Sequence, residues 1–160
     1  MESRAKLAGH PAHTLMIVFP LGLLATSVIF DGVYLYTDNL TFAVVSYWMI
    51  VAGLIGGLLA AVPGLIDWFA IPKGTRAKRI GLIHGVGNVL VLTLFGINWL
   101  LRSNETGHIP TMSALILSGV AFSIVVITGW LGGELVDRLG VGVDDGAHLN
   151  ASSSLRGRLG

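Results

Sequence analysis

Long apolar runs, broken at regular intervals by short polar clusters, dominate the chain. The runs cover about residues 12–36, 42–71, 80–101 and 110–136. Each is near the roughly 20 residues that carry a helix across the hydrocarbon core of a bilayer. The breaks use turn residues. Thr37-Asp38-Asn39 closes the first run, Pro72-Lys73-Gly74 the second, and Ser103-Asn104-Glu105-Thr106-Gly107 the third. Proline cannot continue a helix and glycine suits the turn that follows. Inside lipid every backbone polar group needs an internal partner, so helices are the expected form of these runs. The pattern predicts an all-α membrane protein, a bundle of four transmembrane helices running up and down. A short segment over 1–9 precedes the transmembrane domain of 10–143, and a polar tail over 144–160 follows it. That tail is expected to be extended or disordered. The first apolar stretch is too long for a cleaved signal peptide.

Composition agrees. Of 160 residues, 53% are hydrophobic and 12% charged, against about 25% charged in a soluble domain. Mean hydropathy is +0.77. A net charge of +1 gives no field that would draw in nucleic acid. Cysteine is absent, so disulfides, thiolate metal sites and cysteine-ligated iron–sulfur clusters are excluded. No nucleophile or phosphate-binding loop marks an enzyme.

Lys and Arg set the expected orientation. Arg4 and Lys6 precede the first span, and Lys73, Arg76, Lys78 and Arg79 fill the second connection. Arg138, Arg156 and Arg158 follow the fourth span, whereas Arg102 is alone near the third connection. Both termini and the middle loop are therefore expected in the cytoplasm. Tyr34, Tyr36, Tyr47, Trp48 and Trp99 would lie at the outer level, and Trp68 and Trp130 at the inner level.

In the second span Gly53, Gly57, Ala60, Gly64 and Asp67 fall on one stripe. Small residues let helices approach closely in lipid, so the stripe reads as a packing face, or equally as a homo-oligomer face. It also turns Asp67 toward the bundle interior. Pro63 is expected to bend this helix near its inner end.

Depth now distinguishes one set of polar residues. His13, Asp67, His84 and Glu134 place one ionisable group per helix at the inner level, with Asn88 on the same face as His84. Ionisable groups in spans are costly and usually face the interior. At the outer level only Asp31 stands out, about 27 Å from His13 along the first helix. His10 reads as a helix-entry residue, with the helix starting between it and His13, and His108 as a solvated loop residue. Four readings remain open. The inner layer is a polar network that fixes packing in a non-catalytic structural or accessory subunit. It is a b-type haem site with His13 and His84 as axial ligands and Asp67, Asn88 and Glu134 in support. It is a divalent-metal site of His13, Asp67, His84 and Glu134. Or it belongs to a proton or ion pathway, for which mid-span Ser27, Thr93 and Ser123 offer little.

Several motifs together resemble a bacterial membrane family of undefined activity, domain of unknown function 2231. They are Gly9-His10-Pro11-Ala12-His13 with Phe19-Pro20-Leu21-Gly22, Gly64-Leu65-Ile66-Asp67-Trp68, and Arg79-Ile80-Gly81-Leu82-Ile83-His84 with Asn88. Gly129-Trp130-Leu131-Gly132-Gly133-Glu134-Leu135-Val136 and Leu139-Gly140-Val141-Gly142-Val143-Asp144 complete the set. The resemblance covers about residues 9–150. It implies a four-helix membrane protein with no assigned catalytic residue. Some relatives are joined to a Rieske-type iron–sulfur domain, which implies a redox neighbourhood. With no cysteine, this chain would need a separate redox protein partner. Some relatives carry histidine where this sequence has Glu134.

Overall fold

Helix entries are set by polar caps at the breaks in the hydrophobic pattern. In the computed structural model, which describes residues 1–154, Asn39, Thr75 and Thr111 each accept a hydrogen bond from a backbone N–H in the first turn of the helix they precede. Such caps satisfy donors that a helix start otherwise leaves unpaired. The helices are α1 (Ala12–Met16), α2 (Val18–Thr37), α3 (Leu40–Ala70), α4 (Arg76–Ser103) and α5 (Met112–Gly133). A π-helical turn, Glu134–Arg138, extends α5. With α1 and α2 forming one span, four spans are long and apolar enough to cross a membrane. The break at Ile17 between α1 and α2 has a local cause. Pro20 has no N–H to give to the carbonyl of Met16, the last residue of α1.

The spans alternate in direction. α2 packs most closely on α3 and α4 on α5, while α3–α4 and α2–α5 contacts close the ring. Both described chain ends and the Pro72–Thr75 turn lie at one end of the bundle, called here the terminal end. The Asp38–Asn39 turn and the Asn104–Thr111 connection form the loop end. Leu24, Ile50, Val91, Phe95 and Ala121 make the buried apolar centre. Ile55, Leu58, Val62, Phe69, Val86 and Ile116 are exposed on the outside. That inversion suits lipid, where tight packing rather than hydrophobicity holds helices together.

Glycines make that packing. A Cβ at Gly53 would sit 2.7 Å from the Leu24 side chain, and one at Gly57 2.5 Å from Leu92. The small-residue stripe of α3 is thus filled from within the same chain. Pro63 lies inside α3, which runs on without interruption to Ala70.

The chain ends are ordered further than the composition suggests. Lys6–Leu7 pairs with His10–Pro11 in a two-stranded hairpin, and the helix begins at Ala12, between His10 and His13 as expected. The tail up to Ser154 folds back on this segment: Asp145 N–H donates to Glu2, and Ser154 Oγ lies 3.4 Å from the Ala8 carbonyl. Residues 144–154 form no helix or strand, in keeping with an extended tail, and they lie against the N-terminal segment because it offers polar partners. Arg156 and Arg158, counted for orientation, lie outside the described residues.

Candidate functional site

At the terminal end, α1 and α4 face each other diagonally and bring two imidazoles together. The His13 and His84 ring centroids are 6.3 Å apart, with ring planes at 86°. Each ring is held from behind by a neighbouring helix. His13 Nδ1 lies 2.8 Å from the carbonyl of Ala60 on α3, and His84 Nδ1 lies 2.9 Å from the carbonyl of Thr128 on α5. A carbonyl only accepts, so the network assigns a proton to Nδ1 in both rings, and in a neutral imidazole Nε2 is then the lone-pair nitrogen. Glycine makes room for each ring. A Cβ at Gly64 would be 2.8 Å from His13 Nδ1, and one at Gly132 would be 3.3 Å from His84 Cε1.

The expected supporting residues divide. Asn88 joins the pair: its amide nitrogen lies 3.1 Å from His84 Nε2, and its Oδ1 accepts from Thr128 Oγ1. Asp67 is engaged elsewhere, accepting from Ser3 Oγ and from the N–H groups of Arg4 and Ala5. It latches the N-terminal segment onto α3. Glu134 forms an ion pair with Arg76 at 2.6 Å. The four-ligand metal set of His13, Asp67, His84 and Glu134 is therefore not assembled. Among the described residues, no three His, Asp or Glu groups gather where they could hold a metal ion. Equal depth along the helices put these groups in one layer but did not make their side chains converge.

Outside the spans the terminal end carries a charge network. Lys6 hydrogen-bonds to Glu2 at 2.5 Å and lies 3.9 Å from Asp144. The hydrogen bond from Lys6 holds the Glu2 carboxyl below its ordinary range, and the same bond raises the Lys6 ammonium.

The loop end overturns the expectation that it lacks a dense polar cluster. Arg102 is fully buried, with Asp31, Ser46, Ser27, Asn98 and Ser118 buried around it. Its NH1 lies 3.1 Å from the Asp31 carboxylate, its NH2 donates to the Ala43 carbonyl, and its Nε donates to the His108 carbonyl. Arg102 is thus the last-turn residue of α4 and not a free loop charge. Asn98 bridges to Ser118 and to the Ala114 carbonyl on α5. His108, expected to be solvated, stacks on Tyr47 at 3.8 Å and 5°, while Trp99 donates to the Tyr47 hydroxyl. One signal in the sequence could have found this cluster. Asp31 and Arg102 are opposite charges near the same end of two spans, and buried charges need partners.

The predicted membrane protein family DUF2231 matches residues 9–145 of the chain. The chain belongs to this family. No curated protein and no solved structure matches it. The matched stretch contains the histidine pair, Asn88, Asp67, Glu134 and the Asp31–Arg102 pair, so both polar layers lie within the family's domain.

Proposed function

We propose that this family member is a small redox-associated protein of the bacterial cytoplasmic membrane, in which His13 and His84 would hold a b-type haem that would supply one-electron chemistry. The observation that carries this reading is the placement of the two imidazoles. The ring centroids are 6.3 Å apart, a separation at which one metal, with metal–nitrogen bonds of about 2.0–2.1 Å, would be within reach of both rings. Ligand histidines characteristically donate their other ring N–H to a carbonyl or carboxylate. His13 and His84 both do so, to Ala60 and Thr128. Haem needs only two protein ligands, which suits a layer where the carboxylates are engaged elsewhere. Asn88 would turn away from His84 Nε2 on binding, and Asp67 and Glu134 would support the layer by holding the N-terminal segment and α4. A separate redox protein would exchange the electron.

A specific observation favours a second reading, a non-catalytic accessory subunit. The Asn88 amide already occupies His84 Nε2, so this half of the polar layer is complete without a ligand and would simply fix helix register. Purified protein separates the two. The first reading expects haem bands in the reduced-minus-oxidised spectrum, lost in His13→Ala and in His84→Ala. The second expects no bands or stoichiometric metal in well-folded protein, and lower stability in the same variants. An ion or proton pathway has the least support. Asn88 and Asn98 lie ten residues apart on α4, about 15 Å, with buried Leu24, Ile50, Val91, Phe95 and Ala121 filling the centre of the bundle. Proteoliposome flux that depended on pH or potential would revive it.

A further inference from the structure

The turn between α3 and α4 concentrates positive charge that the protein itself neutralises only in part. Lys73, Arg76, Lys78 and Arg79 lie within seven residues that contain no acid. Two of them are spoken for. Arg76 pairs with Glu134 at 2.6 Å. Lys78 donates to the Trp68 carbonyl and lies 4.0 Å from the centre of the Trp68 ring. Lys73 and Arg79 are exposed and have no acidic partner among the described residues. They also lie at the start of α4, where the positive end of the helix dipole adds to their potential.

Directly beside these cations is an exposed apolar surface. Along α4, Arg79 is followed at helical spacing by exposed Ile83 and Val86, and the end of α3 exposes Ile66 and Phe69. Free cations at the head of an apolar helix face match an amphiphile with an anionic head and acyl chains. We propose that Lys73 and Arg79 bind the headgroup of an anionic phospholipid, whose chains lie along the exposed faces of α3 and α4. Charge selects the occupant. An anionic headgroup supplies the counter-charge that Lys73 and Arg79 do not receive from any acid among the described residues.

The test uses the full chain in lipid nanodiscs containing phosphatidylglycerol and phosphatidylcholine, with retained lipids counted by native mass spectrometry. The wild type should retain phosphatidylglycerol preferentially. Lys73→Gln and Arg79→Gln should each reduce that preference about fivefold, as expected for a basic residue near an anionic membrane surface. Lys6→Gln, which removes a cation already paired with Glu2, should change it little. High salt should weaken the preference of the wild type, because exposed charges are screened. Lys73 and Arg79 are exposed, and circular dichroism would verify that the variants keep their helices. Equal retention of the two lipids by the wild type would overturn the proposal, as would a double variant that keeps the full preference. Loss of retained lipid on adding millimolar inorganic phosphate, with no dependence on lipid headgroup, would also overturn it in favour of a free-phosphate site.

Discussion

At the residue scale, Arg102 shows how much a single partner decides. Its guanidinium is fully buried, and Asp31 meets it from another span. Breaking a buried pair leaves an uncompensated charge and costs about 3–5 kcal/mol, whereas replacing both members is often far milder. Arg102→Met should therefore lower unfolding stability in detergent by about that amount. Adding Asp31→Leu to the same chain should recover part of the loss. Equal losses in the single and double variants would show that the ion pair is not what matters. The Glu2–Lys6 pair makes a second residue-scale prediction. Glu2 titrates below its ordinary 4.5, so its contribution is present above that pH and is lost as the pH falls through the lowered value. Lys6 titrates above its ordinary 10.5, so its contribution holds below that pH and is lost at more alkaline pH. Docking of the N-terminal segment should be strongest between these limits. Amide exchange of residues 3–10, corrected for intrinsic rates, should rise on acidification below pH 4.5, and unchanged protection there would contradict the assignment.

At the scale of elements, glycine positions fall into two kinds that the bare sequence does not separate. A Cβ at Gly87 would meet Thr128 Cγ2 at 2.5 Å, directly across the α4–α5 contact, while one at Gly85 would meet nothing within 4 Å. Overpacking a close contact costs about 1–3 kcal/mol. An exposed helical glycine gains up to about 1 kcal/mol on change to alanine. Gly87→Ala should thus destabilise the protein and disturb the Thr128–Asn88–His84 network, and Gly85→Ala should be neutral or mildly stabilising. Thermal unfolding of the two variants tests this, and equal behaviour would count against the helix packing described. The four spans were legible from run length and turn residues because lipid imposes them on backbone chemistry. The break at Ile17 was not, since it depends on Pro20 acting on a carbonyl four residues earlier.

On the scale of the whole molecule, the burial of Arg102 sharpens the charge asymmetry. With that residue neutralised inside the bundle, the loop-end connections have no free Lys or Arg, while the terminal end carries Arg4, Lys73, Arg79 and Arg138. The cation rule then predicts the terminal end in the cytoplasm. The chain lacks cysteine, so single introduced thiols report orientation cleanly. In intact cells Asn104→Cys should react with a membrane-impermeant maleimide, and Lys73→Cys should react only after permeabilisation. The reverse pattern would invert the topology.

The sequence by itself determined the four spans, their turns and the approximate depth of each polar group, because those follow from hydrophobic length and helical rise. It also carried the motifs of the family. Tertiary structure alone decided which groups meet. Depth placed His13, Asp67, His84 and Glu134 in one layer, but facing and neighbours sent Asp67 to the N-terminal segment and Glu134 to Arg76, and left the two histidines together. The same logic hid the loop-end cluster. Asp31 and Arg102 are 71 residues apart in the chain, and only the packing of α2 beside α3 and α5, with α4 across the bundle, brings them into contact. Periodicity along one helix reports what that helix can present, and partners are set by the helices packed around it.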